Sequence, residues 1–358
     1  MKLSACMIAK NEEEMLPRCL KSIHKLCDEI IFIDTGSTDK TVEIAESFGA
    51  EVIKCKWKYD FSLHRNQAFD YATGDWFFVI DCDEELINTD IDPVLFKERL
   101  LMVEPNIGAL AVGVEEEENG ITTTWAGKRF FKASANPKYE GCVHNKATHA
   151  GFCGGTDLKI RHYGYHLSPE KMKKKRERTL SLLQKRLEQN PDDASAHYYM
   201  CQIESGNKNH DEVIRYGTRC FDLLDLKPDE LQFFGTIYPW VSQAYFIKAI
   251  NETDVLARQG YLDECYSWLL KGLELNPEDI DLNFLMAQLF FNCNEYEKMR
   301  PFCDQYIKTL EKVNSDNQHK SDTFVNKLSM KDFVTRTTYF SGELHEKVIR
   351  RWITHDRN

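Results

Sequence analysis

Residues 76–85 read WFFVIDCDEE, and this stretch decides the fold of the first half of the chain. Trp76 to Ile80 is an unbroken apolar run rich in aromatic and branched residues, which is typical of a strand covered on both faces. The run ends in acidic residues, whose burial is unfavourable unless something compensates their charge. Asp81 and Asp83 are spaced so that both can turn toward one hard cation, Mg²⁺ or Mn²⁺. Because open α/β sheets bind ligands at the carboxyl ends of their strands, we expect a metal-assisted diphosphate site here.

The residues before this stretch predict a parallel sheet. Three short runs are predicted strands: Leu3–Ala9, Glu29–Asp34 and Glu51–Cys55. Helical spacing of apolar residues between them gives a βαβαβ order, for which a parallel sheet is the economical arrangement. Asp34 and Asp81 would then lie at the tips of two neighbouring strands, where Asp34 could contact a base or a ribose hydroxyl. The turn at 36–39 could equally serve only as a helix cap.

Arg65 stands in the first turn of a helix predicted between Trp57 and Thr73, with Ser62 as its cap. Its guanidinium is planar and always charged, which suits a diphosphate or a carbonyl group. A solvated surface arginine is the alternative, and the neighbouring aspartates favour the binding role.

Four motifs in order resemble the inverting family 2 glycosyltransferases of the GT-A fold. They are AKNEE at 9–13, IDTGSTDKT at 33–41, WKYDFSLHRNQA at 57–68 and GDWFFVIDCDEE at 74–85. The resemblance covers roughly the first half of the chain and implies an α/β, Rossmann-like domain with a mostly parallel sheet. It further implies a nucleotide-sugar donor, a UDP-sugar in the first place, with Mn²⁺ or Mg²⁺ as cofactor.

The resemblance also assigns site residues. Those expected to bind the donor are Ala9, Asn11, Glu12, Asp34, Gly36, Ser37, Arg65, Asp81 and Cys82. Those expected to hold the metal are Asp81, Asp83 and His162, although a lone histidine can equally be structural. Asp83 is also expected to be catalytic.

The stretches YEGCVHN at 139–145 and RHYGYH at 161–166 resemble the family as well. The sequence departs from the family pattern at Asn145, where a glutamate is usual, because asparagine cannot accept a proton. Glu140 and His144 are the remaining candidates for the general base. A cysteine acceptor would relax the need for a base, since a thiol ionises more readily than a hydroxyl.

The second half of the chain is predicted to be helical. LEQNPDD at 187–193 and LELNPED at 273–279 echo each other, and helix-pair patterns follow both, as in degenerate tetratricopeptide repeats. We therefore predict a GT-A domain at 1–168, a helical linker at 169–186 and a helical-repeat domain at 187–358 for acceptor binding or homodimerisation. The basic run KMKKKRER at 171–178 is most simply a solvated linker helix, with phosphate or acidic-acceptor contact as the alternative.

The net charge of −11 argues against a general nucleic-acid binder. Twelve scattered cysteines without a CxxC pair indicate reduced thiols in a cytoplasmic protein, and no apolar run is long enough to cross a bilayer. A GT-A domain followed by helical repeats is similar to the peptide S-glycosyltransferases of the sublancin type. We therefore predict a metal-dependent hexosyltransferase acting on a Ser, Thr or Cys side chain of a peptide or protein.

Two other functions stay open at this stage. A non-catalytic scaffold, with helical repeats for partners and a degenerate GT-A domain, is favoured by Asn145. A nucleotidyltransferase would share the sheet and the metal but usually has a glycine-rich phosphate loop near its start, and residues 7–14 contain no glycine.

Overall fold

The computed structural model describes residues 1–87, 92–118, 121–164, 169–224 and 234–315. It divides into two compact units, one up to Leu182 and one from Leu183 onward. A single helix, α5 (Pro169–Gln189), runs through this division, and the domain boundaries predicted from sequence stay predictions. The sequence also predicts a tight hairpin turn at Asn119-Gly120. This turn, Tyr165 and His166 of the late motif, and residues 316–358 lie outside the described residues.

The first unit is built on one mixed, mostly parallel sheet. Its strands are β1 (Leu3–Ala9), β2 (Glu29–Asp34), β3 (Glu51–Lys54), β4 (Trp76–Val79), β5 (Glu84–Leu86), β6 (Ile107–Glu118), β7 (Ile121–Lys132) and β10 (Phe152–His162). Within the described residues the strand order is β3-β2-β1-β4-β7-β6-β10-β5. The first four strands are parallel to one another and β10 is parallel to β6, whereas β7 and β5 pair in the antiparallel sense. The predicted α/β fold is confirmed.

The strand order places the acidic strand ends. Because β2, β1 and β4 are parallel, their carboxyl ends meet at one edge, and Ala9 of β1 is level with Asp34 of β2. Asp34 and Asp81 therefore share this edge, as predicted. They do not end neighbouring strands, however, because β1 lies between β2 and β4. The loop after β1 is thus the part of the chain that separates the two aspartates.

Helices cover both faces of the sheet. They are α1 (Leu16–Ile23), α2 (Thr41–Ser47), α3 (Phe61–Tyr71) and α4 (Pro93–Leu101). Apolar side chains of α1 and α4 pack on one face, and α3 packs on the other with a small hairpin of β8 (Lys138–Glu140) and β9 (Lys146–Thr148). The cap of α3 is Asp60, whose carboxylate accepts a hydrogen bond from the amide of Leu63, and not Ser62 as predicted. Ser62 instead donates its hydroxyl to Asp60.

The second unit is helical, as predicted. Besides the end of α5, its helices are α6 (Ala194–Asn207), α7 (His210–Leu223), α8 (Ile237–Asn251), α9 (Val255–Leu275), α10 (Ile280–Asn292) and α11 (Tyr296–Ser315). Consecutive helices pack as the pairs α6–α7, α8–α9 and α10–α11. The N-termini of α6, α9 and α10 are capped by the carboxylates of Asp193, Asp254 and Asp279, which accept backbone hydrogen bonds. Two of these residues, Asp193 and Asp279, follow the Asn-Pro turns, so an acidic residue after each turn starts a helix.

Glu29 fastens the start of the sheet. Its carboxylate accepts hydrogen bonds from the Lys2 ammonium at 2.6 Å, the amide of Thr73 at 2.6 Å and the hydroxyl of Ser4. Burial alone would raise the pKa of Glu29, but the hydrogen bonds from Lys2, Ser4 and Thr73 outweigh it and lower that pKa to about 2. Ionised Glu29 therefore stabilises the fold.

We expect Glu29→Gln to lower the free energy of unfolding by about 1–3 kcal/mol at pH 7. A carboxylate whose pKa is depressed by folding contributes stability above its unfolded pKa of 4.5, and this contribution disappears as the pH falls toward 2. Urea unfolding at pH 7 and near pH 2.5 measures the difference, with the exposed Glu46→Gln as the matched control. A deficit of the same size at both pH values would contradict this account.

Candidate functional site

The loops that follow β1 and β2 are bonded to each other. The amide of Asn11 donates to the Ser37 hydroxyl at 2.9 Å, and the Asn11 side-chain oxygen accepts from the amide of Thr38 at 2.8 Å. The amide of Glu12 donates to the hydroxyl of Thr41 at 2.7 Å. Asn11 has a φ of 58°, a left-handed conformation that asparagine tolerates better than most residues. Two stretches predicted to bind the donor are therefore held together at the sheet edge.

Asp34 closes the turn at the end of β2. Its side chain is almost fully buried, and its carboxylate accepts hydrogen bonds from the amides of Gly36 at 3.2 Å and Ser37 at 3.1 Å. Gly36 has a φ of +107°, which favours glycine over residues with a Cβ atom. The amide of Thr35 donates to the carbonyl of Ala9 at 2.9 Å, so this turn is also bonded to the end of β1. A contact of Asp34 with a base or ribose stays a prediction.

Arg65 and Asp81 form an ion pair. The Nη2 atom of Arg65 lies 2.7 and 2.9 Å from the two carboxylate oxygens of Asp81. Burial alone would raise the pKa of Asp81, but the charges of Arg65 and Arg129 outweigh it and lower that pKa. The guanidinium also lies 5.2 Å from the centre of the Tyr139 ring. The structure thus joins the predicted donor-binding arginine to the first aspartate of the Asp-x-Asp motif.

A second, more deeply buried ion pair supports this motif, and the sequence analysis missed it. Nη2 of Arg129 lies 2.5 Å from Oε1 of Glu84, whose other carboxylate oxygen accepts the amide of Asp81 at 2.9 Å. Glu84 is 2% exposed, and its burial raises its pKa while Arg129 opposes the rise. The signal in the sequence was an arginine directly before the aromatic residues Phe130 and Phe131 of β7, which pair with β4.

Asp83 faces His162. Its Oδ2 atom lies 3.3 Å from Nε2 of His162, and the other ring nitrogen of His162 lies 3.0 Å from Oε1 of Glu116. Burial alone would lower the pKa of His162, but the hydrogen bonds to Asp83 and Glu116 raise it to about 10. A Cβ atom on Gly164 would lie 2.4 Å from Nε2 of His162, so a larger residue there would displace the imidazole. The late histidine and the second aspartate are therefore brought together.

The role of Glu116 differs from the one that its sequence context suggests. Four consecutive glutamates at 115–118 are most simply a solvated hairpin tip, but strand β6 extends through them to Glu118. Parallel pairing with β10 places Glu115 opposite Arg161 and Glu116 opposite His162. Glu115 forms ion pairs with Lys159 at 3.1 Å and with Arg161 at 3.2 Å. The interpretation as a solvated tip is wrong for these two glutamates.

The donor set near Asp83 suits a divalent cation. Across the described residues, no three His, Cys, Asp or Glu side chains converge as a metal-binding group. The Asp81 carboxylate is bonded to Arg65. Asp83 and His162 nevertheless offer an oxygen and a nitrogen 3.3 Å apart. Glu116 behind His162 is the type of carboxylate that orients a metal-binding imidazole. The residues present therefore fit a metal held by Asp83 and His162, provided that the metal displaces the proton that the imidazole shares with Asp83.

Two further predicted residues of the donor site flank these groups. Cys82 is buried, and its thiol is directed at the carbonyl of Ile8 at 3.7 Å, so its side chain faces the core. Glu12 is part-buried, and burial together with the charges of Asp83 and Asp81 raises its pKa to about 7. Glu12 therefore lies in the electrostatic field of the Asp-x-Asp motif.

The loop that carries the two candidate bases is anchored to α3. The side-chain amide of Asn66 donates to the carbonyl of Tyr139 at 2.9 Å and accepts from its amide at 2.8 Å. The amide of Phe61 donates to the carbonyl of Cys142 at 2.9 Å. Glu140 and His144 are exposed, and His144 has a φ of 48°. The loop is thus fixed to the helix that carries Arg65, and the choice of base stays a prediction.

Comparison with known proteins gives one family model and several relatives. Residues 4–153 match the family model described as "Glycosyl transferase family 2". The chain is 33% identical over 215 residues to a TPR repeat-containing protein of Synechococcus elongatus, which covers 57% of this chain and 51% of that protein. It is 31% identical over 192 residues to the SPbeta prophage-derived glycosyltransferase SunS of Bacillus subtilis, covering 52% of this chain and 45% of SunS.

Among solved structures, TarS of S. aureus matches with 14% identity and a TM-score of 0.35, covering 87% of this chain and 55% of TarS. The chain spans about half the length of the two curated relatives. Within the described residues, no helix combines the length and the apolar composition that a bilayer crossing requires.

Proposed function

We propose that this protein transfers a sugar from a nucleotide-sugar donor to a peptide or protein, and the match of residues 4–153 to the glycosyl transferase family 2 model supports this reaction class. A UDP-sugar is the first candidate for the donor, and a Ser, Thr or Cys side chain is the acceptor. One observation carries this proposal: the Asp83–His162 pair lies beside the Arg65–Asp81 pair, after the strand β4. The glycosyltransferase SunS as a relative supports the reaction class, and the TPR repeat-containing relative supports a partner-binding role for the helices.

Asp83 and His162 would hold Mn²⁺ or Mg²⁺, with Asp81 as a third ligand once its carboxylate turns from Arg65. Bound there, the ion would act as a Lewis acid on the donor diphosphate. The carboxylate of Glu116 accepts a hydrogen bond from Nδ1 of His162 and thereby keeps the imidazole oriented. The support for this metal site is the chemistry of the donor set.

Arg65 would contribute its charge to the departing nucleoside diphosphate, since its guanidinium remains ionised. The acceptor atom would attack the anomeric carbon from the opposite face, which gives inversion. Glu140 or His144 would take the acceptor proton in the case of a hydroxyl. A cysteine acceptor would supply a thiolate with less help, and this accommodates Asn145 in the place of the usual glutamate.

The second candidate function is a non-catalytic scaffold in which the helical unit binds partners. The observation that favours it is Asn145, a half-buried residue that stands where the family usually has a glutamate. In that case the family 2 domain would retain its fold without turning over a nucleotide sugar. Homodimerisation through the helical unit and a cytoplasmic location also belong to the proposal.

We expect the purified protein to release a nucleoside diphosphate from at least one nucleotide sugar when Mn²⁺ is present and to stop when excess EDTA is added. The metal is needed because the carboxylates alone repel the diphosphate. A panel of UDP-, GDP- and dTDP-sugars is incubated with acceptor peptides that contain Cys, Ser or Thr, and mass spectrometry detects the added hexose. Absence of both release and transfer with every donor would favour the scaffold.

A further inference from the structure

Each cation described so far at the edge of the sheet that carries the candidate site already has an acidic partner. Arg65 is paired with Asp81, Arg129 with Glu84, and His162 with Asp83. The charges of Asp83 and Asp81 also raise the pKa of Glu12. Further positive charge near these carboxylates would therefore favour the binding of a donor diphosphate.

The part of helix α5 that belongs to the first unit, up to Leu182, packs one of its faces against the rest of that unit. Lys175 and Thr179 are half-buried and Leu182 is buried, a spacing of four and then three residues that defines one face of a helix. The thiol of Cys142 is directed at the carbonyl of Leu182 at 3.7 Å, which fixes this face against the loop of the candidate bases. Lys173, by contrast, is on the exposed side. The basic run is thus largely solvent-exposed, as the simplest interpretation of its sequence has it, and Lys175 is its half-buried member among the described side chains.

Arg178 lies on the same side of α5 and reaches the start of α3. Its guanidinium carbon lies 5.2 Å from the centre of the Phe61 ring, and Phe61 begins the helix that carries Arg65 one turn later. The residue remains exposed and thus accessible to a ligand. The stacking on Phe61 restricts where the guanidinium can go, which reduces the entropy lost when it binds an anion.

Lys175 and Arg178 of α5 interact electrostatically with acidic residues of the candidate site. The charges of Glu12 and Asp83 act on Arg178. The charges of Lys175 and Arg178 act in turn on Glu12, where they oppose the rise of its pKa. Arg178 therefore lies within electrostatic range of Glu12 and Asp83, and Lys175 within range of Glu12, although α5 lies outside residues 4–153 that match the family model.

We propose that Arg178, assisted by Lys175, binds the diphosphate of the sugar donor and stabilises the nucleoside diphosphate as it leaves. This inference rests on the proposed function. During transfer the bond between the anomeric carbon and the diphosphate oxygen breaks, and its electron pair stays on that oxygen. The acceptor atom forms the new bond and loses its proton to the base. Arg178 contacts the oxygens on which the negative charge increases, so its contribution is larger in the transition state than in the bound donor.

The test compares ligands with and without a diphosphate on the full chain. Titration calorimetry with Mn²⁺ measures the binding of UDP, GDP, inorganic pyrophosphate and uridine to the wild type and to Arg178→Ala, Arg178→Lys and Lys175→Ala. Because a hydrogen bond to a charged group contributes about 1.5–3 kcal/mol, we expect Arg178→Ala to weaken binding of a nucleoside diphosphate and of pyrophosphate by about 10- to 100-fold. Arg178→Lys should recover part of this loss, and any binding of uridine should be unchanged.

Lys173→Ala is the matched control, because Lys173 lies on the same helix, is 78% exposed at its side chain and faces Glu177 at 3.9 Å. It should bind every ligand as the wild type does. Donor turnover should fall with Arg178→Ala mainly in kcat, since the contact is stronger in the transition state. Circular dichroism establishes that the variants are folded, and Arg178→Lys provides the answer should Arg178→Ala fail to fold.

Several results would overturn this inference. Suppose that the wild type binds a nucleoside diphosphate and that Arg178→Ala and Arg178→Lys bind it equally tightly. This result would refute the contact, while the proposed function would stand. Equal losses for uridine and for UDP would show a structural role, and a change confined to the acceptor KM would assign Arg178 to the acceptor. If the wild type binds neither a nucleoside diphosphate nor pyrophosphate with Mn²⁺, the proposed function fails and this inference fails with it.

Discussion

Asp83→Ala should lower metal-dependent sugar transfer by about 1,000-fold or more without unfolding the protein. Asp83 is the carboxylate that faces His162, whereas Asp81 is already bonded to Arg65. Stabilisation of transition-state charge by a metal ion amounts to several kcal/mol, and about 4 kcal/mol corresponds to three orders of magnitude in rate. Asp83 is part-buried, and removal of its side chain leaves the backbone hydrogen bond from Tyr163 to its carbonyl intact.

The measurement is nucleoside diphosphate release as a function of Mn²⁺ concentration, together with direct titration of Mn²⁺ binding in the presence of donor. Asp157→Asn provides the matched control, because it removes a carboxylate from the same strand as His162 but at a side chain that is 77% exposed. This control should retain full activity. Turnover by Asp83→Ala at the wild-type rate, or turnover by the wild type in excess EDTA, would refute the metal role.

Arg129→Met should lower the free energy of unfolding by about 3–5 kcal/mol, the usual cost of removing one partner of a buried ion pair. The reason is Glu84, which is 2% exposed and would lose its ion-pair partner. Met fills much of the volume of the arginine stem, so the effect reports the charge more than a cavity. Since the other oxygen of Glu84 holds the amide of Asp81, a fall in activity should accompany the loss of stability.

Urea unfolding of Arg129→Met, Glu84→Gln and the double variant separates charge from packing. The double variant should recover part of the stability lost by Arg129→Met, because no charge then remains buried alone. Arg99→Met is the surface comparison: its partner Asp157 and Arg99 itself are more than two-thirds exposed, so a change within about 0.5 kcal/mol is expected. A small effect of Arg129→Met, no larger than that of Arg99→Met, would show that Glu84 does not depend on this partner.

The sequence predicted the strands of the candidate site well, because their signal is local. The apolar runs that precede Asp34 and Asp81 are continuous, and continuous runs are characteristic of buried parallel strands. These runs do not predict that β1 pairs with both β2 and β4, because each apolar strand would be equally well buried beside any other strand of the sheet. The loop with Asn11 and Glu12 consequently lies between the two aspartates, which the sequence alone did not indicate.

The residues missed by sequence reasoning act through partners far along the chain. Arg129 and Glu84 are 45 residues apart, and His162 and Glu116 are 46 residues apart. The first pair depends on the antiparallel pairing of β4 with β7, and the second on the parallel register of β6 with β10. A run of four glutamates predicts repulsion and solvation when viewed by itself. In the fold, Glu115 lies opposite Arg161 and Glu116 lies opposite His162, and each forms an ion pair with that residue.

The backbone anchors of β8 and of the loop that follows it determine which positions there tolerate substitution. Asn66 and Phe61 hold it through main-chain atoms of Tyr139 and Cys142, which are present whatever side chains those positions carry. Substitutions at 140 and 145 therefore leave these attachments in place. Under the proposed function, directed variation at these two positions is expected to change the nucleophile that the protein accepts while donor binding stays as it is.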